Sequence, residues 1–205
     1  MLGGFMDLFS VILCVLAAGV IVKLWTDDYF AWRRGKPFER ALPGATDAPV
    51  RLIVLSAAVS AGIVLVGALG DYAIGAVSFR SKVPAYYFFT LVSAAIIEEL
   101  LFRGYCVIQS KGRRTFHVSV VFFSVVYAVL HGHILGHGKT GALQFVLAPG
   151  PMWWTFLALA QALLWYAVRF APSNRNRSLL PSAAGHVAAN VTVFLVYLAQ
   201  GRVGF

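Results

Sequence analysis

The sequence predicts an all-α membrane protein, a polytopic bundle of about six transmembrane helices. Of the 205 residues, 60% are hydrophobic and 12% are charged, and the mean hydropathy is +0.77. A soluble domain carries roughly twice that share of charged residues. The apolar residues fall into runs of membrane-spanning length, which polar loops separate. We therefore expect residues 1–205 to form a single membrane-embedded domain.

Six apolar runs are long enough to cross a bilayer as helices. The first run has no basic residue before it and has Lys23 near its end, which is the reverse of a secretory signal, so we expect an uncleaved helix. A glycine-rich segment, 135–151, ends in Pro-Gly-Pro and separates the fourth and fifth runs. The predicted helices are Met6–Trp25, Leu52–Ile74, Val83–Ser110, Thr115–Ile134, Met152–Phe170 and Leu179–Ala199.

The basic residues predict the orientation of the helices in the membrane. If the N-terminus lies outside, 12 of the 17 Lys and Arg residues fall on the inner side and 4 on the outer side, while Arg103 lies in the middle of a helix. This excess on the inner side is typical of membrane proteins, and it predicts that both termini lie outside. It also accounts for the net charge of +9 without nucleic acid as a partner. The basic segment 33–40 is interpreted mainly as a determinant of this orientation, and attraction to anionic lipid headgroups is the alternative.

The third helix carries the most specific chemical signal, Glu98 and Glu99 followed by Arg103. Ionisable side chains at membrane depth are costly, so they usually face a polar cavity and have a function. Glu99 and Arg103 are four residues apart and share a helix face in the favourable order for an ion pair. Glu98 points about 100° away. We therefore expect Arg103 to neutralise and orient Glu99, leaving Glu98 free for a water or a substrate. The alternative is an ionic cluster that only joins helices.

The fourth helix carries Tyr127 and His131, again four residues apart and on one face. A single histidine on an apolar face is commonly a core residue, but His131 has polar partners on other helices with which it could act. His133 and His137 follow near the outer water boundary. We expect these two histidines to lie outside any catalytic cavity.

The sixth helix carries His186 and Asn190 at the same spacing. Small residues surround them and allow a neighbouring backbone to approach closely. Two neutral hydrogen-bond donors side by side could stabilise an oxyanion. They could also serve only as hydrogen bonds between helices.

Other known chemistries for cutting peptide bonds inside a membrane are poorly supported. The sequence has no H-E-x-x-H for a zinc site. A paired-aspartate site needs two intramembrane aspartates, and only Asp71 lies within or near a predicted helix. The serines of the apolar runs have no nucleophile-elbow context.

The three polar pairs together resemble the ordered motifs of the CAAX protease and bacteriocin-processing family, also called the Abi family. The matching residues are Glu98-Glu99-x-x-x-Arg103, Tyr127-x-x-x-His131 and His186-x-x-x-Asn190. The resemblance covers about 83–199 and leaves two extra N-terminal helices, about 6–25 and 52–74. In the second motif the family usually has phenylalanine where Tyr127 stands. Members of this family are membrane-embedded, glutamate-type endopeptidases related to the Ras-converting CAAX endopeptidase.

The resemblance implies a role for each matched residue. Glu98 and His131 would activate a water, while His186 and Asn190 would hold the oxyanion. Glu99, Arg103 and Tyr127 would support the site. The implied partner is a protein or peptide substrate: a prenylated CAAX protein, a bacteriocin leader or a sorting tail.

No cofactor is expected, and a catalytic metal is possible but not favoured. Glutamate and histidine are also zinc ligands. A neutral His–Asn pair can nevertheless take the electrophilic role of a metal by donating hydrogen bonds to the oxyanion. The alternatives to an enzyme are a proton- or ion-coupled transporter and an inactive family member that binds a partner.

The predicted helices place these residues at unequal depths. At 1.5 Å per residue, Glu98 lies roughly 18 Å from the inner end of its helix, His131 roughly 24 Å and His186 roughly 10 Å. Straight helices with these ends would not bring the three side chains together. We therefore expect a helix to tilt, break or begin deeper around a cavity.

Overall fold

The computed structural model describes residues 8–75, 82–132, 134–137 and 143–204. Within these residues the predicted all-α fold is confirmed: six α-helices and one π-helical segment form the bundle, with two short strand pairs. The helices are α1 (Leu8–Arg33), α2 (Val50–Ala73), α3 (Tyr87–Glu98), the π-helical segment (Glu99–Tyr105), α4 (Arg113–His131), α5 (Pro149–Arg169) and α6 (Leu180–Ala199). The strands are β1 (Val83–Pro84), β2 (Leu135–His137), β3 (Leu143–Phe145) and β4 (Val203–Gly204).

Four of the helices in the described part of the chain, α1, α2, α4 and α6, are long and apolar enough to cross a membrane. The third predicted helix is divided, because α3 has 12 residues and continues as a π-helical segment of 7. The chain is an integral membrane protein. The expected orientation, with both termini outside, stays a prediction.

Several helix boundaries differ by a few residues from those expected from the sequence, and the largest differences are at the ends of the first and third helices. The first helix continues past Trp25 to Arg33, because the following loop packs on its last turns: Trp25 Nε1 donates to Pro43 O (3.4 Å) and Leu42 N donates to Asp28 (2.7 Å). The third helix ends at Tyr105 instead of Ser110, since residues 106–112 leave the helix.

The three loops predicted to lie on the inner side meet at one end of the bundle, which we call the loop end. Leu179 N donates to Gly44 O (3.1 Å), and Thr46 Oγ1 donates to Asn176 O (3.2 Å). Arg177 donates to Gln109 Oε1. At the opposite end, β1 pairs in parallel with β4, which joins the segment before α3 to the segment after α6.

A close helix contact joins α2 to α6 at Gly185. A Cβ at this position would lie 2.4 Å from Ser56 Oγ and 2.9 Å from both Ser60 Oγ and Trp165 Nε1. Only glycine permits this approach, and it brings α2, α5 and α6 together around the core. The core cluster is Val64, Phe102, Tyr127, Ala162, Trp165 and Ala189.

Candidate active site

Glu98 is the last residue of α3, and Glu99 is the first of the π-helical segment. In a π-helix each N–H bonds to the carbonyl five residues earlier, as Cys106 N does to Leu101 O (2.9 Å). Short π-helical segments are rare and occur frequently at functional sites. Here the change of helix type falls between the two adjacent carboxylates.

Glu99 and Arg103 form the predicted ion pair inside the protein. Arg103 Nη1 lies 3.2 Å from Glu99 Oε1, with the two side chains 0% and 2% exposed. The guanidinium also lies 4.8 Å from the ring centres of Tyr127 and Trp165 and 5.1 Å from that of Tyr166. Because separating two enclosed charges is costly, this pair is a fixed part of the core.

His186 joins the ion pair to the rest of the site. Its Nδ1 lies 3.1 Å from Glu99 Oε1, and its Nε2 lies 3.1 Å from the hydroxyl of Tyr127 and 3.6 Å from Glu98 Oε2. The Trp165 ring stacks on the imidazole at 4.1 Å, and His186 is 1% exposed. A neutral His186 that donates from Nδ1 to the carboxylate accepts at Nε2 from Tyr127 and has no other N–H to donate.

Glu98 and His131 form a second, more open pair. His131 Nε2 lies 3.3 Å from Glu98 Oε2, and these side chains are 36% and 22% exposed. His131 Nδ1 donates to the carbonyl of Tyr127 (2.9 Å), and the Tyr127 ring stacks on the imidazole at 4.0 Å. With Nδ1 occupied as a donor, Nε2 and the carboxylate attract each other only if they share a proton. The pair is therefore suited to exchanging one proton with a water.

A cavity of about 250 Å³ lies beside the open pair. His131 and Asn190 are among its polar lining residues, and Asn190 Nδ2 donates to Leu91 O of α3 (2.8 Å). The opposite helices contribute mainly apolar and aromatic side chains, including Val64, Trp154, Leu157 and Ala158. A peptide in this cavity would contact His131, whose Nε2 lies 3.3 Å from Glu98 Oε2.

The division of the third helix explains how residues of unequal predicted depth meet. Glu98 lies seven residues from Tyr105 and His186 six from Leu180, so both are about 10 Å from their helix ends at the loop end. Residues 106–112 then run along α4, where Ile108 N donates to Ser119 Oγ (3.1 Å). The first turns of α4 therefore extend beyond the π-helical segment. This offset brings His131, about 18 Å past Ser119, level with Glu98.

The structure thus brings Glu98, His131, His186 and Glu99 into direct contact, and it places Asn190 on the cavity wall. His133 lies outside the described residues, and the side chain of His137 is not described either, so the expectation for these two histidines stays a prediction. Among the residues that are described, no group of three or more His, Cys, Asp or Glu side chains is arranged to hold a metal.

Sequence reasoning missed the π-helical segment and two residues of α5. Trp165, which stacks on His186, and Gln161, which lines the cavity, are four residues apart on one face of α5. A glutamine within an apolar run was the available signal. Tyr127 has two contacts that the spacing did not predict: its hydroxyl meets His186, and its carbonyl orients His131.

Comparison with known families agrees with this arrangement. Residues 80–192 match the family described as type II CAAX prenyl endopeptidase Rce1-like. The chain belongs to the Rce1-like family. The match confirms the resemblance inferred from the motifs, and it includes every motif residue from Glu98 to Asn190. Neither a comparison with curated proteins nor one with solved structures gives a match.

The Rce1-like segment begins after α2, yet α2 is part of the site. Val64 of α2 lines the cavity, and Asp71 accepts a hydrogen bond from Trp154 Nε1 on the cavity wall (2.8 Å). Gly67 lies against the Trp154 ring, because a Cβ there would be 2.7 Å from it. The helix outside the family match therefore positions one wall of the cavity.

Proposed function

We propose that this protein is an intramembrane endopeptidase that hydrolyses a peptide bond of a protein substrate by direct attack of water. The observation that carries the proposal is the open Glu98–His131 pair, which lies beside a cavity that a peptide could enter. Membership of the Rce1-like family supports this kind of activity.

In the proposed reaction, Glu98 and His131 hold a water and remove its proton as it attacks the substrate carbonyl. General base catalysis requires the base within hydrogen-bond reach of that water, about 3 Å. The proton then passes from the pair to the leaving amine. The chemistry needs no covalent intermediate, and we propose that it proceeds without a metal or other cofactor.

The oxyanion is assigned to His186 and Asn190, which contribute unequally. Asn190 lines the cavity and keeps a second amide hydrogen after donating to Leu91 O. His186 is enclosed, and its Nε2 can donate only when that nitrogen carries a proton, in which case the hydroxyl of Tyr127 no longer donates to it. Asn190 is therefore the principal donor, while His186 connects Glu99 to the reacting group.

The test is a search for the uncleaved substrate in membranes. Cells that produce the wild-type protein, Glu98→Gln or the control Glu39→Gln are compared by membrane proteomics. Glu39 is an exposed glutamate of the α1–α2 loop, so its variant carries the same chemical change away from the site. A precursor should accumulate only with Glu98→Gln. Identical peptide profiles in all three strains would favour an inactive, partner-binding protein or a proton relay.

A further inference from the structure

Helix α5 presents a polar side chain, Gln161, to the cavity. It is 9% exposed and lines the cavity together with His131 and Asn190. The other α5 residues of that wall are Trp154, Leu157 and Ala158. Gln161 is therefore an isolated polar group in an otherwise apolar wall, and it belongs to none of the three motifs.

One end of the Gln161 side chain is fixed by α2. Its Nε2 donates to Ser60 O at 3.4 Å. Since a carbonyl oxygen can only accept, this contact orients the amide with its nitrogen towards α2. Ser60 is itself held in place, because its hydroxyl accepts from Trp165 Nε1 (3.0 Å). The amide oxygen, Oε1, is left without a hydrogen-bond partner among the residues that the structure describes.

A purely structural role for Gln161 does not use this oxygen. Joining α5 to α2 requires only the long bond from Nε2, and it leaves Oε1 of this cavity-lining residue as an acceptor without a donor among the described residues. A peptide in the cavity brings such donors. Each backbone N–H group that the peptide takes from water into the cavity needs an acceptor.

We propose that Gln161 is a substrate-positioning residue whose Oε1 accepts a hydrogen bond from a backbone N–H of the bound peptide. The inference rests on the proposed endopeptidase function and adds an acceptor to its site. Asn190 supplies a donor to the same cavity, so the two amides hold an extended peptide by its backbone rather than by its side chains.

The experiment measures cleavage of a farnesylated, internally quenched CAAX peptide by the full chain in lipid nanodiscs. Gln161→Met removes the amide but keeps the length of the side chain. Gln144→Met makes the same change at an exposed position of β3 and serves as the control. The probe is also made with one backbone nitrogen methylated at a time, which removes a single N–H donor.

For Gln161→Met we expect KM to rise about tenfold with kcat nearly unchanged, as for the loss of one hydrogen bond. With the wild-type protein, one N-methylated peptide should have a KM about tenfold above that of the unmethylated peptide. With Gln161→Met, methylation of that same nitrogen should not raise KM further. Such coupling identifies the N–H that Gln161 accepts, and a change in protein stability alone would not produce it.

Three results would overturn the proposal. Gln161→Met could leave KM at the value of the Gln144→Met control. Alternatively, methylation could raise KM by the same factor with the wild-type protein and with Gln161→Met for every peptide. No backbone N–H would then depend on Gln161. If the wild-type protein cleaves none of the peptides, the proposed function fails for this substrate class, and the role of Gln161 fails with it.

Discussion

Glu98 and Glu99 are adjacent in the sequence but lie in opposite surroundings. The Glu98 side chain is 22% exposed and meets His131 beside the cavity. The Glu99 side chain is 2% exposed and is enclosed by Arg103 and His186. An enclosed carboxylate with fixed partners is held in one state, whereas a carboxylate near water can exchange a proton. Packing therefore gives two identical, adjacent side chains different access to water, with Glu98 partly exposed and Glu99 enclosed.

The strongest test of this division is Glu98→Gln. The substitution should reduce turnover by at least about 10³-fold, because the amide cannot accept the proton of the attacking water. The apparent Tm of the purified protein should stay near that of the wild type, since Glu98 is not part of the enclosed ion pair. Turnover is measured with a cleaved peptide, and Tm by thermal unfolding in detergent. Wild-type turnover by this variant would remove Glu98 from the mechanism.

Glu99→Gln should act on stability instead. It leaves the guanidinium of Arg103 enclosed without its counter-charge, which costs about 3–5 kcal/mol. We expect a lower apparent Tm and a lower yield of folded protein in the same unfolding assay, with Glu98→Gln as the matched control. An unchanged Tm together with lost activity would mean that the two glutamates have the reverse roles.

Asn190→Ala and His186→Ala test a cavity-lining residue of α6 against an enclosed one. Loss of one oxyanion donor reduces kcat by about 10²- to 10³-fold. Asn190→Ala should show this loss with little change in KM or Tm. His186→Ala should also lower Tm, because His186 contacts Glu99 and stacks on Trp165. A rise in KM with unchanged kcat for Asn190→Ala would indicate substrate binding instead.

The smallest expected effect comes from Gly185→Ala, which changes the packing of α6 against α2 and α5 and leaves the Glu98–His131 pair untouched. The added methyl group would overlap Ser56 and Trp165, and overpacking of this kind costs about 1–3 kcal/mol. Gly19→Ala in α1 is the matched control, since a Cβ there meets nothing within 4 Å. Thermal unfolding should show a lower Tm for Gly185→Ala alone. Equal Tm values would mean that the α2–α6 contact does not support the enclosed pair.

Much of the fold and of the candidate site could be predicted from local patterns. Hydropathy located the six helical regions, and four of the described helices are long and apolar enough to cross a membrane. Spacing placed Glu99 beside Arg103, since residues four apart on a helix are neighbours. The three motifs indicated the family, which the match over residues 80–192 confirms. The roles of the individual side chains stay predictions.

Hydropathy did not distinguish α1 from α2, which have mean values of 2.4 and 2.5 over their most apolar windows. In α1 most side chains face outward, whereas α2 buries a stripe of small and polar residues against α5 and α6. That stripe is Ser56, Ser60, Val64, Gly67 and Asp71. Membrane insertion depends on average hydropathy, but helix packing depends on which few positions are small or polar.

The order of residues alone shows which side chains are polar inside apolar helices and which of them share a helix face. Which polar groups meet across helices depends on how the helices pack. The end of α3 at Glu98, the π-helical segment after it and the offset of α4 bring His131 level with Glu98. These features depend on contacts between distant segments, such as that of Ile108 with Ser119, and periodicity within one helix carries no information about them.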